Sequence, residues 1–133
     1  MNYLKLIAIY AAVVLVLHVI PTSLAPGSGF APSRVYFLNL RADHLLHMLL
    51  FVPWMVLVRL HLYSERVAGA ARNKAALLWL ALGLALAAGA EGLQYWVPYR
   101  SFNPLDLAGN LTGVLLGALA FAWPGRKRRA GRT

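Results

Sequence analysis

Long apolar blocks, interrupted by short polar connectors, run through almost the whole chain. Four stand out, at residues 4–20, 42–62, 75–97 and 105–123, and none shows the alternation of polar and apolar positions that a barrel strand requires. At a rise of ~1.5 Å per residue, each block as a helix crosses, or nearly crosses, a hydrocarbon core of ~30 Å. Helices satisfy their own backbone hydrogen bonds in lipid. The pattern therefore predicts an all-α integral membrane four-helix bundle, a single domain over residues 1–133, with a basic tail at 124–133.

Polar residues inside these blocks are few, and they are not scattered. Asp43, His44, His47, Glu91, Gln94, Asp106 and Asn110 fall near the block ends, with Arg100 in the loop between the last two. Once the chain is threaded back and forth through a membrane, residues from three helices meet at one end. Asp43 and His47 are four apart, Glu91 and Gln94 three apart, and Asp106 and Asn110 four apart, so each pair shares a helix face. Ionisable groups in a membrane helix are costly and usually mark a site or a partner. The expectation is a polar pocket at that end. Each member also has a structural reading: Asp106 as a helix-start charge, Arg100 as an ion-pair partner, Asp43 and His47 as a local pair, Gln94 and Asn110 as interhelical hydrogen bonds. His18, near the end of the first block, is read as an interfacial residue rather than a member.

Glycines at 109, 113 and 117 form a small-xxx-small stripe on the last block, and Gly113 and Gly117 continue the face of Asp106 and Asn110. A neighbour packed into that stripe must approach the polar face, and the third block offers Gly83, Ala87, Ala88 and Glu91. Asn103, Pro104 and Asp106 read as an N-cap, a first helical position and an acidic first turn.

Composition and charge settle the compartment. Hydrophobic residues make up 60% of the 133 positions and charged ones only 13%, more apolar surface than a soluble fold of this size can bury. Ten of the thirteen Lys and Arg residues lie in the first tail, the middle connector and the C-terminal tail. That bias places both termini in the cytoplasm and the polar end outside. The net charge of +9 is then an attraction for anionic inner-leaflet lipid, through the basic run at 126–129, and no nucleic-acid role is expected. Without cysteine the chain has neither disulfides nor thiolate ligands. A single cation, an apolar stretch and a small-residue sequence ending at Ala25 also fit a cleavable signal; a retained helix is favoured, because the run is long for a signal. No expected pocket member precedes residue 43, so the pocket survives either way. Phosphate-binding loops and nucleophile elbows are absent, the Asn110-Leu111-Thr112 sequon lies inside a span, and four helices are few for alternating access.

These residues resemble a known family. Asp43-x3-His47, then Glu91-x2-Gln94-x5-Arg100-x5-Asp106-x3-Asn110-x2-Gly113-x3-Gly117, is similar to the pattern of the VanZ-like membrane proteins, over about two-thirds of the chain. A lysine is common after the aspartate where this chain has His44. The resemblance implies a small multi-pass protein of the bacterial inner membrane and cell envelope, with a role in sensitivity to glycopeptide or lipoglycopeptide antibiotics such as teicoplanin. It names no reaction.

Three functions remain open. The first is an outward-facing pocket that binds or modulates an envelope lipid, a lipid-linked wall precursor or an amphiphilic antibiotic, with Gln94, Arg100 and Asn110 contacting the ligand. In the second, Asp43, His47, Glu91 and Asp106 carry acid-base chemistry on such a substrate; no cofactor is expected, and His47, Glu91 and Asp106 are weak metal candidates. The third is a helper that binds another membrane protein through the glycine stripe.

Overall fold

A computed structural model describes residues 2–20, 36–37, 40–97 and 102–122. Four helices account for nearly all of it: α1 (Tyr3–Val19), α2 (Ala42–Ser64), α3 (Gly69–Gln94) and α4 (Pro104–Ala122). A two-residue antiparallel pairing of Tyr36–Phe37 with Leu40–Arg41 leads into α2.

The helix ends follow from local chemistry. Asn2 caps α1, its side-chain oxygen accepting from Lys5 N at 3.2 Å. Asn103 caps α4 through Leu105 N at 3.1 Å, and Pro104, which has no N–H to lose, occupies the first helical position. At the other end of α4, the Arg59 guanidinium donates to Ala120 O at 2.7 Å and Phe121 O at 3.2 Å, placing a cation on carbonyls that the helix leaves open. Between α2 and α3 the chain reverses through two positive-φ residues, Arg66 at 56° and Gly69 at 58°. That tight connection starts α3 at Gly69, earlier than the residue 75 expected from hydropathy.

α2 is the central helix. It packs most extensively on α4 and also touches α1 and α3. Its buried residues Phe51, Met55, Val58 and Leu62 form one stripe at helical spacing and meet Ile7 and Val14 of α1, Ala87 and Ala90 of α3 and Val114 of α4. Pro53 sits in the middle of α2, and nearby the Tyr10 hydroxyl of α1 donates to Leu50 O.

The glycine stripe faces α2, which corrects the expectation that α3 would fill it. A Cβ built on Gly109 would lie 3.0 Å from His44 O, one on Gly117 2.5 Å from Val52 O, and one on Gly113 would overlap Met48 O. Main chain lies against main chain along the whole stripe, and only glycine allows that approach. The stripe that the helper reading assigned to a partner protein is filled within the chain by α2. Gly83 of α3 instead receives the Trp54 indole, whose Nε1 donates to Trp79 O at 3.0 Å.

Outside this core the bundle is apolar. Ile9, Leu77, Leu105 and Leu119 are each more than 60% exposed, whereas Glu91, Asn110, Gln94 and His18 are buried. Polar inside and large apolar groups outside is what a lipid surrounding demands. Helices α2, α3 and α4 are long and apolar enough to span a membrane, and α1 is a shorter apolar helix of 17 residues, about 26 Å at ~1.5 Å per residue. The protein is a multi-pass helical membrane bundle.

Candidate functional site

The whole sequence has four carboxylate residues and four histidines. Three of each, Asp43, Glu91, Asp106, His18, His44 and His47, converge at one end of the bundle. His18 lies in the last turn of α1, Asp43 in the first turn of α2, Glu91 in the last turn of α3 and Asp106 in the first turn of α4. Successive helices therefore run in opposite directions, and all four supply the cluster.

Its floor is buried. Glu91 Oε1 accepts from Asn110 Nδ2 at 2.9 Å and from Gln94 Nε2 at 3.4 Å. His18 Nδ1 is 2.8 Å from Val14 O, an acceptor, so Nδ1 carries the proton and the Nε2 lone pair of the neutral ring points inward. There it lies 3.2 Å from His47 Nδ1 and 3.3 Å from Asn110 Nδ2. His47 Nδ1 also faces Asn110 Oδ1 at 3.2 Å and Glu91 Oε1 at 3.6 Å. Neighbouring rings brace the arrangement: His18 meets His47 edge-on, with centroids 4.9 Å apart, and packs edge-on against Phe51.

Above this floor is a more open rim. The side chains of Asp43, His44 and Asp106 keep 17, 11 and 12% of their exposure and that of His47 keeps 13%, against 0% for Glu91. His44 Nδ1 is 2.5 Å from Asp106 Oδ1, and Asp43 Oδ1 accepts from His44 N at 3.0 Å. An Nδ1–H donated to Asp106 leaves Nε2 of neutral His44 as the basic atom of an oriented imidazole. His47 joins the two layers, since its Nδ1 faces the floor while its Nε2 lies 4.0 Å from Asp106 Oδ2. Two groups of potential metal donors result, each within 4.8 Å: His18, His47 and Glu91 below, and Asp43, His44 and Asp106 above.

The structure thus brings together Asp43, His47, Glu91, Gln94, Asp106 and Asn110, as their helical spacing suggests, and changes several assignments. His18 is a buried member of the floor rather than an interfacial residue, so removal of the first helix would not leave the cluster whole. Gln94 and Asn110 direct their amides at Glu91 and are buried. Asp106 reaches across to another helix and is not only a helix-start charge. Arg100, the proposed signal-cleavage segment and the basic run at 126–129 lie outside the described residues. The signal for His18 was an ionisable ring at the end of the apolar run that follows Lys5, which lipid would penalise. At the opposite end of the bundle a shallow groove of about 670 Å³ is lined by Tyr3, Tyr63, Ser64, Arg66, Val67, Ala68 and Arg72.

Comparison with known proteins bears directly on this arrangement. The VanZ/LLP1 family model matches residues 7–124, which takes in α1 beyond its first turn, all of α2, α3 and α4, and every described member of the cluster. No curated protein and no solved structure matches the chain. The match extends the likeness read from the last three helices back into α1, where His18 lies. The chain belongs to the VanZ/LLP1 family.

Proposed function

We propose that the protein sits in the bacterial cytoplasmic membrane with both termini inside, and that its histidine–carboxylate end faces outward to bind an envelope amphiphile. A lipid-linked wall precursor or a lipoglycopeptide fits that description, and occupancy of the site would set sensitivity to glycopeptide antibiotics. One observation carries the reading: the cluster combines fully buried groups, Glu91, His18 and Asn110, that fix the geometry with Asp43, His44, His47 and Asp106, whose side chains keep 11–17% of their exposure and can meet a ligand. Interhelical hydrogen bonds serving stability alone have no need of an exposed layer or of three carboxylates at one end. Asp43, His44 and Asp106 would accept hydrogen bonds from hydroxyl, amide or ammonium groups of the ligand. Arg100, six residues before Asp106 in the sequence, would take its phosphate or carboxylate.

The test is antibiotic sensitivity in cells that depend on this protein, with Asp106→Asn, His44→Gln and Arg100→Ala, each checked for a wild-type melting transition. Sensitivity should shift in all three. Three folded variants with wild-type sensitivity would end the binding reading.

The His44–Asp106 pair favours a second reading, acid-base chemistry on the same class of ligand. Asp106 holds Nδ1, and Nε2 would take a proton from a substrate hydroxyl or amine at the rim. Incubation of the purified protein with wall-lipid mixtures should then yield a changed lipid that His44→Gln does not produce; an unchanged mixture counts against catalysis and leaves binding untouched.

A further inference from the structure

Beneath the rim, the floor has the donor set, the spacing and the supporting hydrogen bonds of a metal site. We propose that His18, His47 and Glu91 bind one divalent transition cation of the zinc class, and that this buried ion, distinct from any ligand at the rim, ties α1 to α2 and α3.

Spacing is the first argument. Four-coordinate zinc has bonds of about 2.0–2.1 Å to nitrogen and oxygen, which puts neighbouring donor atoms about 3.3 Å apart at tetrahedral angles. His18 Nε2 and His47 Nδ1 are 3.2 Å apart, and His47 Nδ1 and Glu91 Oε1 are 3.6 Å apart. All three donors lie within 4.8 Å of one another. A cation enters this arrangement with small side-chain adjustments and no movement of the helices.

The second argument is the outer support that ligating groups need. His18 turns its other ring nitrogen to Val14 O at 2.8 Å, which fixes the tautomer with the Nε2 lone pair inward. His47 Nε2 lies 4.0 Å from Asp106 Oδ2, beyond a direct hydrogen bond but on the side where a carboxylate supports a metal-bound imidazole. Glu91 is oriented by the Asn110 and Gln94 amides. Two imidazoles and one carboxylate leave the fourth position of a tetrahedron for water or for a group reaching down from the rim.

Chemistry supplies the third. His18 Nε2, Asn110 Oδ1 and Glu91 Oε1 surround His47 Nδ1 at 3.2–3.6 Å, so two imidazole nitrogens and a carboxylate oxygen face one another at one point. With a cation, the His18 and His47 lone pairs and the carboxylate act on the ion together. The donors are nitrogen and oxygen, which suits zinc and its neighbours better than calcium or magnesium.

The experiment uses the full chain in detergent with its own lipids, stripped with chelator and re-equilibrated with zinc or cobalt(II). Elemental analysis should find about one zinc per chain, and the cobalt form should show the visible bands of a four-coordinate ion. His18→Gln and Glu91→Gln should weaken uptake at least roughly tenfold, and zinc should raise the melting temperature of wild type but not of these variants. Asp43→Asn, on the rim, should bind as wild type does. Should His18→Gln fail to fold, the wild-type cobalt spectrum and Glu91→Gln still decide. Stripped, monodisperse wild type that takes up neither metal overturns the proposal. So does uptake that survives both floor substitutions, or that disappears with Asp43→Asn, which would move the ion to the rim.

Discussion

Replacing Gly113 with alanine drives a methyl group into the main chain of α2. The added Cβ overlaps Met48 O and lies 3.0 Å from Phe51 Cβ, so the obstacle is backbone and cannot rotate away. At Gly117 the same methyl stands 2.5 Å from Val52 O, well inside the 3.4 Å at which ordinary contact begins; at Gly109 the nearest atom is 3.0 Å away. Separating α2 from α4 enough to relieve such overlap costs about 1–3 kcal/mol, while alanine recovers about 0.8–1 kcal/mol of helix propensity over glycine. The net loss is therefore about 1–2 kcal/mol at Gly113, about 1 kcal/mol at Gly117 and close to zero at Gly109. Gly89 and Gly92 on α3 have open space at the same position, so alanine there should stabilise by up to about 1 kcal/mol. With roughly 4 °C per kcal/mol for a chain of this size, Gly113→Ala should melt about 4–8 °C below wild type in detergent and Gly92→Ala slightly above it. The order Gly113, Gly117, Gly109, Gly92 is the prediction. A Gly113→Ala protein that melts with Gly92→Ala would refute the packing of α2 into the stripe.

Other outcomes follow from named contacts. Asn110→Ala removes bonds to Glu91, His47 and His18 and should cost about 1–3 kcal/mol in denaturant unfolding, with Asn110→Asp, which sets a second carboxylate beside Glu91, worse still. A smaller effect of Asp than of Ala would argue against the packing of Asn110 on Glu91. Arg59→Ala uncaps the end of α4 and should cost about 0.3–2 kcal/mol by the same assay; no change would mean the guanidinium is held by water instead. The chain has no cysteine, so Phe102→Cys and Tyr63→Cys each give a single label site. An impermeant thiol reagent applied to intact cells should label the first and reach the second only after permeabilisation, and the opposite pattern would invert the proposed orientation.

Much of this was legible in the sequence, for identifiable reasons. Apolar block length in lipid is a strong signal, and Asn103–Pro104 marks the start of α4 through chemistry that acts within one turn. Spacing brought Glu91 with Gln94, and Asp106 with Asn110, onto common faces, because helical periodicity fixes that without any knowledge of neighbours. What periodicity cannot supply is which helix each face meets. The stripe at Gly109, Gly113 and Gly117 was legible as a close-packing surface, yet its occupant is α2, and no residue pattern on α2 announces that its carbonyls at His44, Met48 and Val52 lie there. His18 was passed over for the same reason: its value comes from His47 and Asn110 on other helices. His44 was legible as one of the polar set and as a departure from the family pattern, but its bond to Asp106 appears only in three dimensions.

The most direct test of the outward binding site is native mass spectrometry of protein extracted gently from its own membrane, with wild type measured beside His44→Gln, Asp106→Asn and Arg100→Ala. Wild type should retain a defined envelope amphiphile that the three variants lose while their ordinary phospholipid adducts stay the same. Identical adducts in all four proteins, or none in any, would contradict the account.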